Sequence, residues 1–357
     1  MDKLQRLHLR GFKSIQQIDL ELTPLNILIG ANGAGKSNLI SFFKMLNEMM
    51  AEPGRLQQYI GESGSAQSLL YFGPKTTPQI EAQLDFEVEN GSDSYRMRLF
   101  HAAGDTLIFE EETLSFIPTG RTEPRTDDLG AGHRETLLNK VAQHNEENYT
   151  ARALRYLLQR CRVYHFHDTS STAGVRQSCY SGDHRWLMPD ASNLAALLLR
   201  FQEEYEHTVY RQIISTIRLI APFFEDFVLV PNKANYVILN WKEKGSDRVF
   251  GPHQFSDGTL RAICLITLLL QPRDELPKLI VVDEPELGLH PYALNVIADL
   301  FDQASMDTQI LISTQSRSFL DNFDPEAIII VDRAEQASQF KRLSTADLDA
   351  WLTRIDQ

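Results

Sequence analysis

Two kinds of hydrophobic pattern succeed one another along the chain. Near the start, LQRLHLRGF (4–12) and IQQIDLEL (15–22) alternate apolar with polar residues, as strands with one buried face do. NILIG (26–30) is different: it is short and wholly apolar, which fits a strand buried on both faces. NLISFFKMLNEMM (38–50) follows, apolar on nearly every side, and reads as a buried helix. Residues 51–78 are richer in Gly, Ser, Gln and Pro and read as loop with room for a short helix. From about 79 to 117, IEAQLDFEVE, YRMRLFH and LIFEEETLSF predict a meander of antiparallel strands.

The polar, Gly- and Pro-rich stretch 118–150 is expected to be a mobile excursion. Helical patterns occupy 151–162 and 191–219, and strand-like FVLVP and YVILNW come next. The final third returns to apolar strands alternating with helices: KLIVVDE (278–284), QILIST (309–314) and AIIIVD (327–332). Such alternation implies an α/β fold around a mainly parallel sheet. No internal repeat or heptad array is evident, and no coiled-coil arm.

Composition narrows the class. The 357 residues are 43% hydrophobic and carry a formal charge of −13, so no global basic field draws the chain to nucleic acid or anionic membrane. A local basic face stays possible. Cys161, Cys179 and Cys264 are too few and scattered for a disulfide framework or a zinc site. The N-terminus lacks an apolar secretory core, and the longest apolar run, AICLITLLL (262–270), falls short of the roughly 20 residues a span needs. A cytoplasmic protein is expected.

Chemistry enters with Gly30-Ala31-Asn32-Gly33-Ala34-Gly35-Lys36-Ser37, a complete G-x-x-x-x-G-K-[ST] loop between a predicted strand and a predicted helix. Its glycines let backbone N–H groups converge on phosphate, with the helix N-terminus adding partial positive charge. Lys36 is placed to reach the β- and γ-phosphates, and the Ser37 hydroxyl to ligate Mg²⁺. A Gly-rich turn without ligand is the bland alternative, and pattern plus context argue against it. Further on, LIVV (279–282) ends in Asp283-Glu284-Pro285-Glu286. Carboxylates at the end of a buried strand are costly unless a cation or a reaction uses them. Asp283 is expected in the metal shell, and Glu284 to polarise a water for attack on the γ-phosphate. Alone this could be an acidic turn; beside a phosphate loop it reads as catalytic.

PLNILIGANGAGKSNL, FSDGTLRAICLITLLL, LIVVDEPELGLHP and ISTQS together resemble the ABC-type ATPases of the SMC/RecF branch, notably the stand-alone prokaryotic "AAA family ATPase" proteins. LRGFKSIQQIDLEL also looks like the first strands of RecF-like heads. The motif matches cover about 1–50 and 250–350, with YHFHDTS and SNLAALLL as looser matches between. The resemblance implies a P-loop ATPase head: an N-terminal lobe (1–117) with the phosphate loop, a mostly helical insertion (118–250) and a C-terminal lobe (251–357). It also implies that ATP glues two heads together. Asn38 would then belong to the nucleotide site, and Ser256, Asp257 and Gly258 to a signature loop contacting the γ-phosphate of the partner head. The signature departs from the commoner S-G-G-Q form at Asp257, whose charge must turn away from the phosphate or pair with a cation such as Arg261. Glu286–Pro291 corresponds to the loop where heads touch, with His290 as a candidate interface residue. Gln315 stands where many relatives carry a γ-phosphate-sensing histidine; an amide donates a hydrogen bond but cannot titrate. The Q-loop glutamine is not readable: Gln67 and Gln79 both qualify. Lys13 and Ser14 are candidates for the adenine or phosphate side.

Weaker signals favour structure over chemistry. His165 and His167 would share one face of a strand, yet a metal needs a third ligand. Arg152, Arg155, Arg160 and Arg162 read as a solvated basic face, with a DNA or partner surface as the alternative. The expected function is therefore an ATP- and Mg²⁺-dependent ATPase that pairs with itself, as a homodimer or higher oligomer. It would drive a DNA-related process, anti-phage defence or DNA repair and maintenance, beside an effector such as a nuclease or TOPRIM-like protein. DNA contact is possible, and no membrane is expected. A nucleotide-dependent scaffold with little hydrolysis is the rival, and a transporter ATPase subunit a more distant one.

Overall fold

The computed structural model describes residues 2–343, so residues 344–357 of the expected C-terminal lobe lie outside the described residues. Strands β1 (Lys3–Phe12) and β2 (Ile15–Glu21) form a hairpin that buries alternate side chains, as their sequence pattern requires. β3 (Leu25–Ile29) is buried at every position and leads through the phosphate loop into α1 (Lys36–Ala51). The short helices α2 (Arg55–Glu62) and α3 (Ala66–Leu69) precede the meander β4 (Gln79–Val88), β5 (Gly91–Ala102), β6 (Thr106–Pro118) and β7 (Arg125–Asp128). These strands join the first hairpin in an antiparallel sheet of order β2-β1-β4-β5-β6-β7.

The middle of the chain holds α4 (Leu138–His144), α5 (Tyr149–Gln159), β8 (Cys161–Tyr164), β9 (Cys179–Tyr180), α6 (Leu194–Glu204) and α7 (Arg211–Ile220). β10 (Phe224–Val228), β11 (Tyr236–Val237), β12 (Asn240–Glu243) and β13 (Val249–Phe250) follow. The last third contributes α8 (Asp257–Leu269), β14 (Leu279–Asp283), α9 (Pro291–Ser305), β15 (Gln309–Thr314), α10 (Arg317–Leu320), β16 (Ile328–Ala334) and β17 (Ala337–Arg342). The central sheet has the order β17-β16-β3-β15-β14-β8, parallel except for the edge strand β17.

The continuous apolar runs now have a cause. Ile27, Ile29, Ile280, Val282, Ile310 and Ile312 point into one hydrophobic core, shared with α6, α7, α8 and α9. Their neighbours Leu28, Leu279, Val281 and Leu311 point into a second core with α1, α5 and the antiparallel sheet. A parallel sheet covered on both faces has no wet side, so its strands show no alternation.

Residues 118–250 do not stand apart as a mostly helical insertion. β8 is an edge strand of the central sheet, pairing Tyr164 with Val282 of β14, while β7 extends the antiparallel sheet. The stretch expected to be a mobile excursion is tied down by Glu112. This fully buried carboxylate accepts from Tyr95 (2.7 Å), His133 (2.9 Å) and the Leu137 N–H (2.9 Å), and from the Thr136 hydroxyl. Among the described residues, no helix is long and apolar enough to cross a membrane.

Candidate functional site

In a parallel sheet the loops after the strands' C-terminal ends gather in one crevice. Here β3, β15, β14 and β8 lie side by side, so the phosphate loop, Gln315, the acidic turn 283–286 and the segment after β8 meet. The loop's glycines are needed on different grounds. A Cβ on Gly30 would lie 2.0 Å from the Val331 carbonyl oxygen; Gly35 adopts φ +121°, and a Cβ there would strike the Ser338 hydroxyl. Ala34 donates its N–H to the Ala31 carbonyl (3.2 Å), closing the turn, while Ala31, Asn32 and Gly33 are exposed.

Lys36 is buried, and its Nζ donates to the carbonyls of Gly30 (2.5 Å) and Ala31 (3.3 Å). Burial lowers its pKa, opposed by the nearby carboxylates of Glu284, Asp283 and Glu286. That opposition is the electrostatic link between loop and acidic turn. Ser37 is exposed at the first turn of α1. Asn38 faces away: its amide donates to Ser14 Oγ (2.5 Å), which meets Ser338 Oγ at 2.6 Å, which in turn donates to the Ala34 carbonyl (2.6 Å). Asn38, Ser14 and Ser338 buttress the loop from behind. Lys13, in the left-handed region at φ 49°, donates to Ser41 Oγ (2.8 Å), and burial lowers its pKa.

At the acidic turn the backbone changes direction. Glu284 has φ 43°, a conformation that costs of order 1–3 kcal/mol for a non-glycine residue. Its N–H donates to the Ser313 carbonyl (2.7 Å), tying the turn to the end of β15. The Gln315 amide donates directly to Glu284 Oε1. Glu286 braces the end of β15, accepting from Thr314 Oγ1 (2.6 Å) and the Gln315 N–H (3.1 Å). The glutamine after β15 is thus held onto the carboxylate one strand away.

Three residues matter here that sequence reasoning missed or placed elsewhere. His167 donates from Nε2 to the Asp283 carbonyl (2.9 Å), bringing the YHFHD segment to the site; its spacing in the sequence gave no sign of this partner. Arg261 forks across three carbonyls, of Phe166 (3.1 Å), His167 (2.7 Å) and Leu287 (2.9 Å); its charge helps to lower the Asp257 pKa only at a distance, and it does not pair with Asp257 directly. Buried Arg176 does so instead, donating to Asp257 Oδ1 (2.8 Å) and to the carbonyls of Thr169 (2.7 Å), Phe255 (3.3 Å) and Pro252. Hydrogen bonding from Thr169, then Arg176, lowers the Asp257 pKa.

Ser256 caps α8, accepting the Thr259 N–H (3.2 Å), and Gly258 packs so tightly that a Cβ would lie 2.2 Å from the Gly288 carbonyl oxygen. Among the described residues, no hydrogen bond or ion pair joins Ser256, Asp257 or Gly258 to the chain's own phosphate loop. His290 caps α9 with its own side chain, accepting the Tyr292 N–H (3.3 Å). The Gln67 backbone N–H donates to Asp105 and the Gln79 side-chain amide to Glu81, and neither is hydrogen-bonded to the phosphate loop or the acidic turn among the described residues. The arginines are engaged as well: Arg152 with Glu146, Arg155 with Asn139, Arg160 with Asp274 and Leu276, and Arg162 over the Trp186 ring at 4.6 Å.

A family model described as "AAA domain, putative AbiEii toxin, Type IV TA system" matches residues 25–160 and 176–321, which include the phosphate loop, the acidic turn and Gln315. The chain belongs to this AAA family. No curated protein matches it. Among solved structures, the SMC head bound to the C-winged helix domain of ScpA is 15% identical with a TM-score of 0.63, covering 98% of this chain and 99% of that one. An SMC head with an extended coiled coil, bound to the C-terminal domain of ScpA derived from Pyrococcus furiosus, is 14% identical with a TM-score of 0.57, each chain covered completely. An SMC head with a coiled coil and joint derived from Pyrococcus yayanosii gives 14% and 0.58, with both chains again covered in full. At such identities the likeness shows the fold alone: this AAA-family chain has the ATPase-head fold of SMC proteins, in line with the SMC/RecF resemblance.

Proposed function

We propose that this AAA-family chain binds ATP with magnesium at residues 30–37, with Asn38 bracing the loop from behind, and hydrolyses it in head-to-tail pairs. The observation that carries the reading is the Gln315 amide held on Glu284, at the strand ends that also present Lys36 and Asp283. Ser37 and Asp283 would hold the magnesium ion, which supplies charge neutralisation for the phosphates. The residues present fit it: Ser313 Oγ and Glu286 Oε2 are buried at the same strand ends without a partner, leaving polar atoms for its water shell.

Glu284 accepts a proton from water as that water attacks the γ-phosphorus. The bond to the bridging oxygen breaks, ADP leaves, and the Gln315 amide holds Glu284 or the water in line. Ser256 and the Gly258 backbone, which make no hydrogen bond to their own phosphate loop among the described residues, serve the loop of a partner copy. The SMC heads of similar fold are bound to ScpA domains, which supports a head that hands its nucleotide state to another protein. For this chain we infer an effector such as a nuclease or TOPRIM-like protein, in a DNA-related process of defence or repair.

The neutral switch residue also favours a second reading, a nucleotide-dependent scaffold that turns over little. Steady-state ATPase rates separate the two. Glu284→Gln should lower kcat by about a hundredfold or more while ATP still binds. A wild-type rate no higher than the mutant's would leave the scaffold.

A further inference from the structure

The outer end of the antiparallel sheet holds a carboxyl group for which the ATPase reading has no use. Asp93, on β5, pairs in register with Phe86 of β4 and Phe116 of β6 and is 3% exposed. Its Oδ1 is buried without a hydrogen-bond partner among the described residues. Burial pushes this carboxyl up to about 7, with a further push from Asp2. Beside it opens a cavity of about 280 Å³ between the sheet and α5, with apolar walls from Val88, Phe116, Tyr149, Ala153, Tyr156 and Leu157. Asp2 and Glu89 stand at the same cavity.

Cations stand at the rim of this cavity, over its Tyr149 and Tyr156 rings, each with partners other than Asp93. Arg152 lies over the Tyr149 ring at 5.9 Å and donates to the Glu146 carbonyl. Arg160 lies over Tyr156 at 5.3 Å and donates to the carbonyls of Asp274 and Leu276. Lys278 pairs with Asp2 at 3.2 Å. No hydrogen bond or ion pair reaches Asp93 from any of the described residues.

A buried carboxylate without a partner is costly, and native folds leave few such groups. We propose that this cavity binds an organic cation, an ammonium or guanidinium group on a short apolar stem, with Asp93 as its counter-ion. The apolar and aromatic walls suit the stem, and the carboxylates suit its head. A bare divalent ion fits poorly, because hard cations take six or more oxygen ligands and these walls are mostly carbon. The volume is at the small end of ligand sites, so the guest is a small free amine or a single lysine or arginine side chain from a partner.

The test uses the full chain with its aspartate carboxyls labelled for NMR, without nucleotide, so its outcome is separate from that of the ATPase reading. The probes are 1,5-diaminopentane and a short peptide carrying one arginine; the neutral controls are 1-pentanol and the same peptide with citrulline. The Asp93 signal should shift saturably with a cation and not with its neutral control, and its titration midpoint should move toward the ordinary carboxylate range. Asp93→Asn, checked by thermal melt for folding, should weaken binding about tenfold or more. A response to the diamine alone identifies a free amine, and one to the peptide alone identifies a partner side chain. The proposal falls if neither cation produces a saturable shift, if the neutral controls bind equally, or if Asp93→Asn binds as tightly as wild type.

Discussion

At the scale of single residues, the proposed hydrolysis rests on an amide at the end of β15. Gln315 can donate to Glu284, and does, but it carries no charge to a phosphate. Gln315→Ala should therefore lower kcat about tenfold to a hundredfold with little change in KM, since the donor is needed for alignment more than for binding. Gln315→His should keep most of the rate. If steady-state kinetics show both variants at the wild-type rate, Gln315 only fills the loop. A second single-residue expectation concerns stability. The folded Asp93 carboxyl titrates near 7, above the ordinary carboxylate range, so across that window the folded chain holds a proton that the unfolded chain releases. Stability then falls as pH rises through the window. Thermal melts of Asp93→Asn should show a larger gain at pH 8 than at pH 5; an equal gain at both would mean that Asp93 has an ordinary pKa.

At the scale of elements, arginines join the loops, beside the close packing of Gly258 on Gly288. Arg176 gathers Thr169, Pro252, Phe255 and Asp257, fixing the segment before α8 to the segment after β8. Arg176→Leu should cost about 3–5 kcal/mol in a denaturant titration, because it strands buried carbonyls as well as removing a charge. Asp257→Asn should be close to neutral, its side chain being 65% exposed. A mild Arg176→Leu would show that the cluster relaxes or takes up water. Elements with one strong local pattern were legible in the sequence: β1 and β2 by alternation, β3, β14 and β15 by apolar runs, and α1 by its all-round hydrophobicity. The edge strand β8 was not. CRVY is four residues long, and only pairing with β14 makes it a strand. For the same reason the excursion at 118–150 read as mobile: what fixes it is Glu112, a carboxylate from β6 that no local window connects to His133 or Thr136. The site divides likewise. The phosphate loop and acidic turn are contiguous motifs, whereas His167, Arg176 and Arg261 act through backbone carbonyls remote in sequence and leave no motif.

At the scale of the whole molecule, one geometric fact constrains how the site is completed. The start of α8 packs on Gly288, where Gly258 leaves no room for a Cβ, and sends no hydrogen bond or ion pair to its own phosphate loop among the described residues. If Ser256 and Gly258 serve a partner's loop, each working site takes its loop from one copy and its signature from the other, and a two-fold pair makes two such sites. Two individually dead variants then complement each other. Lys36→Ala removes the phosphate lysine and Ser256→Arg blocks the signature. In a mixed pair, one site inherits both lesions and the other inherits neither. With equal amounts and random pairing, half the pairs are mixed and half of their sites work, so the ATPase rate should recover to about a quarter of wild type. Dilution below the pairing constant should abolish the recovery, which distinguishes complementation from contamination by active protein. A mixture as inactive as its components, under conditions where sedimentation shows the pairs forming, would place the whole site within one chain and remove Ser256 and Gly258 from the chemistry.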